Sequence, residues 1–261
     1  MRKYTPEERI LLKKHSDTLK TLRKLAKDCK TTYGLKIFQS SVKDACSMGF
    51  PIDFTLQNSK DTLLNTVMDL SCYVPIDYRC NAVEIILEQG ADPNHQNNYG
   101  ETPLTQCANN QFVTCFTPLL KYGADPNICN AKGENVLMIL AAWGYDYDIF
   151  SKILSQTEDI NHKSEDGRTV LGRLCSKYIS ANFYKTRNFI KRAIQAVLAA
   201  GADPDIDTSW ENYLSENIDW GRDYYEQKTT QFQELSNYLK SYCQKKEELT
   251  DSTGSTFDYE L

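Results

Sequence analysis

Gly90-Ala91-Asp92-Pro93-Asn94 returns as Gly123-Ala124-Asp125-Pro126-Asn127, and again, with aspartate in the last place, as Gly201-Ala202-Asp203-Pro204-Asp205. From Gly90 to Gly123 is 33 residues. Self-similarity at a fixed period of that length marks stacked repeats, in which each unit buries its apolar face only against its neighbours. Seven, four and three residues before the three glycines stand Val83, Ile86 and Leu87, then Phe116, Leu119 and Leu120, then Ile194, Val197 and Leu198. That spacing is one apolar stripe of a helix that stops at a glycine able to take the left-handed conformation.

Eight residues beyond each asparagine a second helix begins, at Thr102-Pro103-Leu104 and at Asn135-Val136-Leu137. The same phase finds two weaker copies. Phe150, Ile153 and Leu154 precede Thr157, Asp159 and Asn161, with Thr169-Val170-Leu171 following; Val42, Ala45 and Cys46 precede Gly49, with Thr62-Leu63-Leu64 following. The strings Asn97-Asn98-Tyr99-Gly100-Glu101-Thr102-Pro103-Leu104 and Asp166-Gly167-Arg168-Thr169-Val170-Leu171, together with the glycine-led pentapeptides, resemble the ankyrin repeat, over roughly residues 35–240. The resemblance implies an all-α fold, an ankyrin-repeat solenoid of about six helix-turn-helix repeats with short hairpin loops and helical caps. The family's usual histidine after Thr-Pro-Leu is here Thr105, Met138 and Gly172, which removes the hydrogen bond that histidine would make within the inner helix.

The ends of the chain are read separately. Residues 1–30 hold ten Lys/Arg against four Asp/Glu, a net +6, whereas the whole chain carries −5 and the remainder therefore −11. The chain as a whole is no polyanion binder, but its first segment has the opposite sign. Thr5-Pro6-Glu7-Glu8 reads as N-cap, first helical proline and capping box. It opens an amphipathic basic helix to about Cys29, with Leu12, Leu19, Leu22, Ala26 and Cys29 on its apolar side. We take residues 1–30 as an N-terminal cap, 31–243 as the repeat array and 244–261 as a disordered acidic tail. The second repeat has a surplus near Ser71–Asp77, and the fifth carries about eleven extra residues that include Tyr178, Phe183, Tyr184, Lys185, Arg187, Lys191 and Arg192. The last repeat, 206–243, has lost the glycine and the Thr-Pro-Leu string, as a terminal repeat does.

Nine cysteines without a C-x-x-C pair predict reduced thiols packed in a cytosolic core, Cys107 and Cys175 among them. No apolar run approaches the ~18 residues of a membrane span and no signal peptide is legible, which predicts a cytoplasmic protein. The tail places Glu247 and Glu248 before a run of small polar residues. It resembles the translocation signal of bacterial type IV secretion substrates, which implies the host cytoplasm as its destination.

Enzyme chemistry is not expected. Of three histidines, His95 and His162 follow the repeat-closing asparagine and share one structural slot, and no phosphate loop, zinc-protease or nucleophile-elbow motif occurs. No catalytic residue, metal or cofactor is assigned. The expected activity is binding of a partner protein. The resemblance implies a concave face of hairpin tips and inner helices, and on it the positions left to choose a partner are Asn98, Tyr99, Glu101, Asn110, Lys132, Glu134, Trp143, Asp166, Arg168 and Lys177. Tyr99 and Trp143 are the hot-spot residue types in that set. Nucleic acid is disfavoured as a partner. The alternative reading is contact with an anionic surface through the basic N-terminal helix and the insertion in repeat five.

Overall fold

In the computed structural model, which describes residues 5–55, 60–69, 74–143, 146–180, 184–204, 230, 233–242 and 244–245, every regular element among the described residues is helical. Expectations for Phe183, for residues 70–73 of the second-repeat surplus, for most of the last repeat and for the tail beyond residue 245 lie outside these residues. The chain divides into two units, Met1–Ala131 and Lys132–Leu261.

The first unit contains α1 (Pro6–Lys27), α2 (Thr32–Ser47), α3 (Leu63–Asp69), α4 (Ile76–Glu88), α5 (Pro103–Asn109), a 3-10 turn (Val113–Cys115) and α6 (Phe116–Lys121). Consecutive helices pack as pairs, α1 on α2, α3 on α4 and α5 on α6. The pairs stack in two rows, with α1, α3 and α5 in the inner row and α2, α4 and α6 in the outer. Thus α1 is the inner helix of the first pair, and the 30/31 boundary falls in the turn between the two helices of that pair. The second unit repeats the scheme with α7 (Val136–Trp143) on α8 (Tyr147–Leu154) and α9 (Val170–Ser180) on α10 (Tyr184–Ala199); α7 stacks on α9 and α8 on α10. The surplus of repeat five lengthens its helices, since α9 and α10 have 11 and 16 residues against 8 each for α7 and α8.

Each inner helix starts on the residue that the sequence pattern marks. The Thr102 hydroxyl accepts from the Thr105 amide at 3.2 Å, Thr62 from Asn65 at 3.2 Å, Asn135 from Met138 at 3.0 Å and Thr169 from Gly172 at 3.1 Å. These bonds satisfy donors that a helix start leaves free, about 1 kcal/mol each. The outer helices α2, α4, α6 and α10 end at a glycine of positive φ, and α8 ends at Ser155 without one. At φ +87° Gly123 donates its amide to Leu120, and Ala124 reaches back to the Leu119 carbonyl at 3.0 Å. The stripes before the glycines form the core, with Val83, Ile86, Leu87, Phe116, Leu119, Ile194, Val197 and Leu198 all buried. At about 1.5–3 kcal/mol per fully buried large side chain, this burial is what holds neighbouring repeats together.

The pentapeptide asparagine ties one repeat to the next. The Asn94 side-chain amide donates to the Gly123 carbonyl at 3.0 Å while its oxygen accepts from the Asp125 amide at 2.8 Å. Asn161 treats Gly201 and Asp203 in the same way, at 3.4 and 2.8 Å. Asp53, which has no donor, only accepts, from the Asp92 amide at 3.1 Å. The hairpins are joined by backbone as well, Ala131 N to Tyr99 O and Glu165 N to Lys132 O, both at 2.9 Å.

Where the missing histidine would stand, Thr105 turns its hydroxyl back to the Thr102 carbonyl at 2.9 Å. In the preceding repeat the same slot holds Asn65, fully buried, which accepts from the Thr62 hydroxyl at 2.8 Å and donates to the Gln106 side chain at 3.0 Å on the next inner helix.

The expectation of nine reduced thiols is corrected at one pair. Cys80 on α4 and Cys115 in the 3-10 turn are joined as a disulfide. Their separation of 35 residues is close to one repeat, so stacking α4 on that turn brings the two Cα atoms to 5.1 Å. Cys29, Cys107 and Cys175 are buried thiols outside any disulfide. Burial raises the Cys29 thiol to about 11, with Asp28 adding to the shift, and lifts Cys107 well above the usual range against the pull of Arg79.

Two outcomes follow from this packing. A Cβ at Gly100 would stand 2.7 Å from the Ala131 amide nitrogen at φ +68°, whereas one at Gly123 would meet nothing within 4 Å. Urea unfolding of Gly100→Ala should therefore show a loss of about 2–4 kcal/mol and Gly123→Ala about 1 kcal/mol; equal losses would mean that the hairpins do not approach as described. Alkylation of the folded chain at pH 8 should spare Cys29 and Cys107 until denaturant is added, because the thiolate is the reactive form. Rapid labelling of Cys107 in the folded chain would show that this core is open.

Candidate protein-interaction site

Four of the ten candidate residues, Asn98, Tyr99, Glu101 and Asn110, lie in the first unit, and the other six in the second. Tyr99 sits at a hairpin tip built from the inside out. The buried Asn97 side chain accepts from the amides of Tyr99 and Glu101 at 2.9 and 3.0 Å, its backbone amide donates to the Glu101 carbonyl at 3.0 Å, and Gln96 donates to the carbonyls of Gly100 and Cys129 at 2.7 and 2.9 Å. A loop with this many internal bonds has little freedom, and it holds the Tyr99 ring 74% exposed. Asn98, its neighbour, is exposed as well. Glu101 is engaged within the fold, accepting from Asn109 at 2.9 Å, and Asn110 donates to the Met68 carbonyl at 3.2 Å.

In the second unit, Trp143 is the last residue of α7. Residues Val136–Ala141 of that helix are buried, and the indole emerges at its end with 47% of its surface exposed. Lys132 and Arg168 are exposed, and Lys177 is half-buried on α9. Arg168 faces Asp166 at 3.6 Å with both side chains about half in water, a geometry that contributes little and leaves the guanidinium able to turn to another carboxylate.

Glu134 and Asp166 belong to a tighter cluster. Arg173, only 12% exposed, meets Glu134 at 2.9 Å and Asp166 at 3.5 Å, and donates to the Ser164 hydroxyl at 3.1 Å. The Ser164 hydroxyl in turn bonds Asp166 and the Arg168 carbonyl. Burial pushes the Asp166 carboxyl up, but the Ser164 hydroxyl, Arg173 and Arg168 outweigh it and hold the group below the ordinary value. This cluster moors two hairpins to α9. Arg173 escaped the sequence reading, although its place four residues after Thr169, within reach of acidic hairpin positions, is the signal that could have found it.

The two repeat-slot histidines act alike. His95 donates a ring N–H to the Lys60 carbonyl at 2.7 Å and His162 to the Gly133 carbonyl at 2.9 Å, each reaching back to the preceding hairpin. The cations of the repeat-five insertion are partly occupied within their own unit. The Arg192 guanidinium lies 3.8 Å from the Tyr147 ring centre and the Lys191 ammonium 5.8 Å from that of Tyr178, contacts in which the ring's π face attracts the cation.

Among the described residues no helix is long and apolar enough to cross a membrane. Among curated proteins no sequence matches the chain. A family model described as ankyrin repeats, three copies, matches residues 72–164. Two crystal structures resemble the fold. An ankyrin repeat domain from Acinetobacter baumannii AYE superposes with a TM-score of 0.58 at 19% identity, over 81% of this chain and 95% of the other. The ankyrin repeat protein EF0377 superposes with 0.59 at 19% identity, over 82% and 96%. At this identity the likeness speaks to the fold alone. Helix pairs, capping residues, glycine-led turns and family match thus agree: the chain carries ankyrin repeats over residues 72–164, and its fold is that of an ankyrin-repeat protein.

Proposed function

We propose that this chain binds a partner protein through hairpin tips and inner-helix ends, with Tyr99 and Trp143 as anchors. Ankyrin repeats in general are protein-protein interaction modules and typically are not enzymes. The observation that carries the proposal is Tyr99, an aromatic ring 74% exposed on a hairpin whose backbone is bonded on both sides. A rigidly presented aromatic loses little freedom on binding, and Tyr, Trp and Arg are the side chains most often found to dominate protein interfaces. Lys132 and Arg168 add exposed positive charge suited to an acidic counterpart, and Asn98 and Lys177 complete the polar surroundings. Glu101, Asn110, Glu134 and Asp166 act first on the fold, so their truncation would weaken binding by loosening the hairpins.

The test is affinity capture from cell lysate with mass spectrometry, using the full chain beside Tyr99→Ala, Trp143→Ala and Arg168→Ala combined. A partner held by the parent should be lost by the variant while circular dichroism stays the same. In titrations with the recovered partner, Tyr99→Ala or Trp143→Ala alone should weaken affinity about thirtyfold, ~2 kcal/mol. Partners that survive the triple substitution would move the site elsewhere. The likeness of the tail to a secretion signal supports a host protein as that partner. If so, removing residues 245–261 should stop type IV translocation of a reporter fusion and leave partner capture unchanged, and continued translocation would refute the effector role.

A further inference from the structure

The first helix buries only part of its length. Leu19, Leu22 and Ala26 enter the core, and no residue before Leu19 on α1 is buried. On the opposite side Arg9, Lys13, Lys20, Lys24 and Lys27, at intervals of four, seven, four and three, share one exposed face, with Lys14 beside it. Asp17, on the same face, pairs with Lys20 at 3.5 Å and offsets one of the five charges, while Glu8 closes the capping box at Thr5. A solvated lysine face is ordinary at the end of a repeat array. A large aliphatic side chain left in water among the lysines is not. Ile10, between Lys13 and Lys14 on this face, is 71% exposed, whereas Leu11, 52% exposed, lies in line with Leu22 on the core side of the helix.

We propose that the outer face of α1 docks the chain onto an anionic lipid bilayer, with Ile10 entering the headgroup–acyl boundary and the surrounding cations meeting lipid phosphates and carboxylates. The charge distribution orients the encounter. Residues 1–30 carry +6 while the rest of the chain carries −11, so a negative surface attracts this helix and repels the remainder. Apolar side chains flanked by lysine and arginine on a surface-lying helix are the arrangement that peripheral membrane helices use. A nucleic acid could use the cations, but it offers nothing to Ile10, and α1 has no Phe, Tyr or Trp on which bases would stack. The hairpin aromatics take no part, so this proposal stands apart from the protein-binding one.

Sedimentation of the full chain with phosphatidylcholine vesicles, with or without 30% phosphatidylserine, tests it. Binding is expected with phosphatidylserine only, falling steeply as salt rises. Lys13→Glu/Lys20→Glu/Lys24→Glu should weaken it by at least about a hundredfold, and Ile10→Ser, which leaves the charge intact, by about tenfold. All these positions are exposed, and circular dichroism checks that each variant folds. Tyr99→Ala/Trp143→Ala should bind vesicles as the parent does. Equal binding to neutral and anionic vesicles, or none to either, overturns the proposal. So does unchanged vesicle binding by the Ile10 variant together with equally tight binding to duplex DNA, which would make α1 a general polyanion contact.

Discussion

The structure depends on one recurring interaction, the bond between an asparagine at the end of one repeat and the glycine and aspartate that open the corresponding turn in the next. Asn94 offers a donor to the Gly123 carbonyl and an acceptor to the Asp125 amide at once, and Asn161 does the same for Gly201 and Asp203. A turn leaves backbone groups without partners, and where turns stack those groups would be desolvated. A primary amide side chain carries a donor and an acceptor on separate atoms of one planar group, so it can satisfy an N–H and a C=O together. The interaction therefore fixes how neighbouring turns stack, whether 29 residues separate the partners, as for Asn94 and Gly123, or 40, as for Asn161 and Gly201. Within each unit the stripes of neighbouring outer helices then meet, α4 on α6 and α8 on α10, and exclude water.

Much of this was legible because it is local. N-caps, the proline at the first helical position and the glycine at the helix end act over three or four residues, and they appear in the structure at Thr5, Thr102 and Gly123 where the pattern places them. The buried Asn65–Gln106 bond was not legible, since its two residues are 41 apart and neither is unusual alone. The same holds for Arg173, whose partners Glu134 and Asp166 look like free surface charges until the hairpins are stacked. Four residues that the repeat pattern offers for partner choice are thus engaged in the fold, which leaves Asn98, Tyr99, Lys132, Trp143 and Arg168 exposed and Lys177 half-buried.

The two ends of α1 show how the same helix serves packing and surface. Its C-terminal half carries the apolar residues that the i, i+3, i+4 rule aligns toward α2 and α3. Its first three turns present cations and two aliphatic side chains to water. Reading the helix as a cap accounts for the first half of this description only. The charge asymmetry of the chain is a property of composition, but its meaning depends on which face of α1 the neighbouring helices cover.

The sequence by itself determined the repeat period, the helix starts and stops and the apolar stripes. Those features are written in short-range spacing, and an α-helix converts spacing directly into a face. Only the tertiary structure decided which polar residues are engaged and which are free, that Cys80 meets Cys115, and that Ile10 and Leu11 lie outside the core. Each of these is settled by a neighbour about one repeat away or by the absence of packing on one face, and neither is encoded in the few residues on either side.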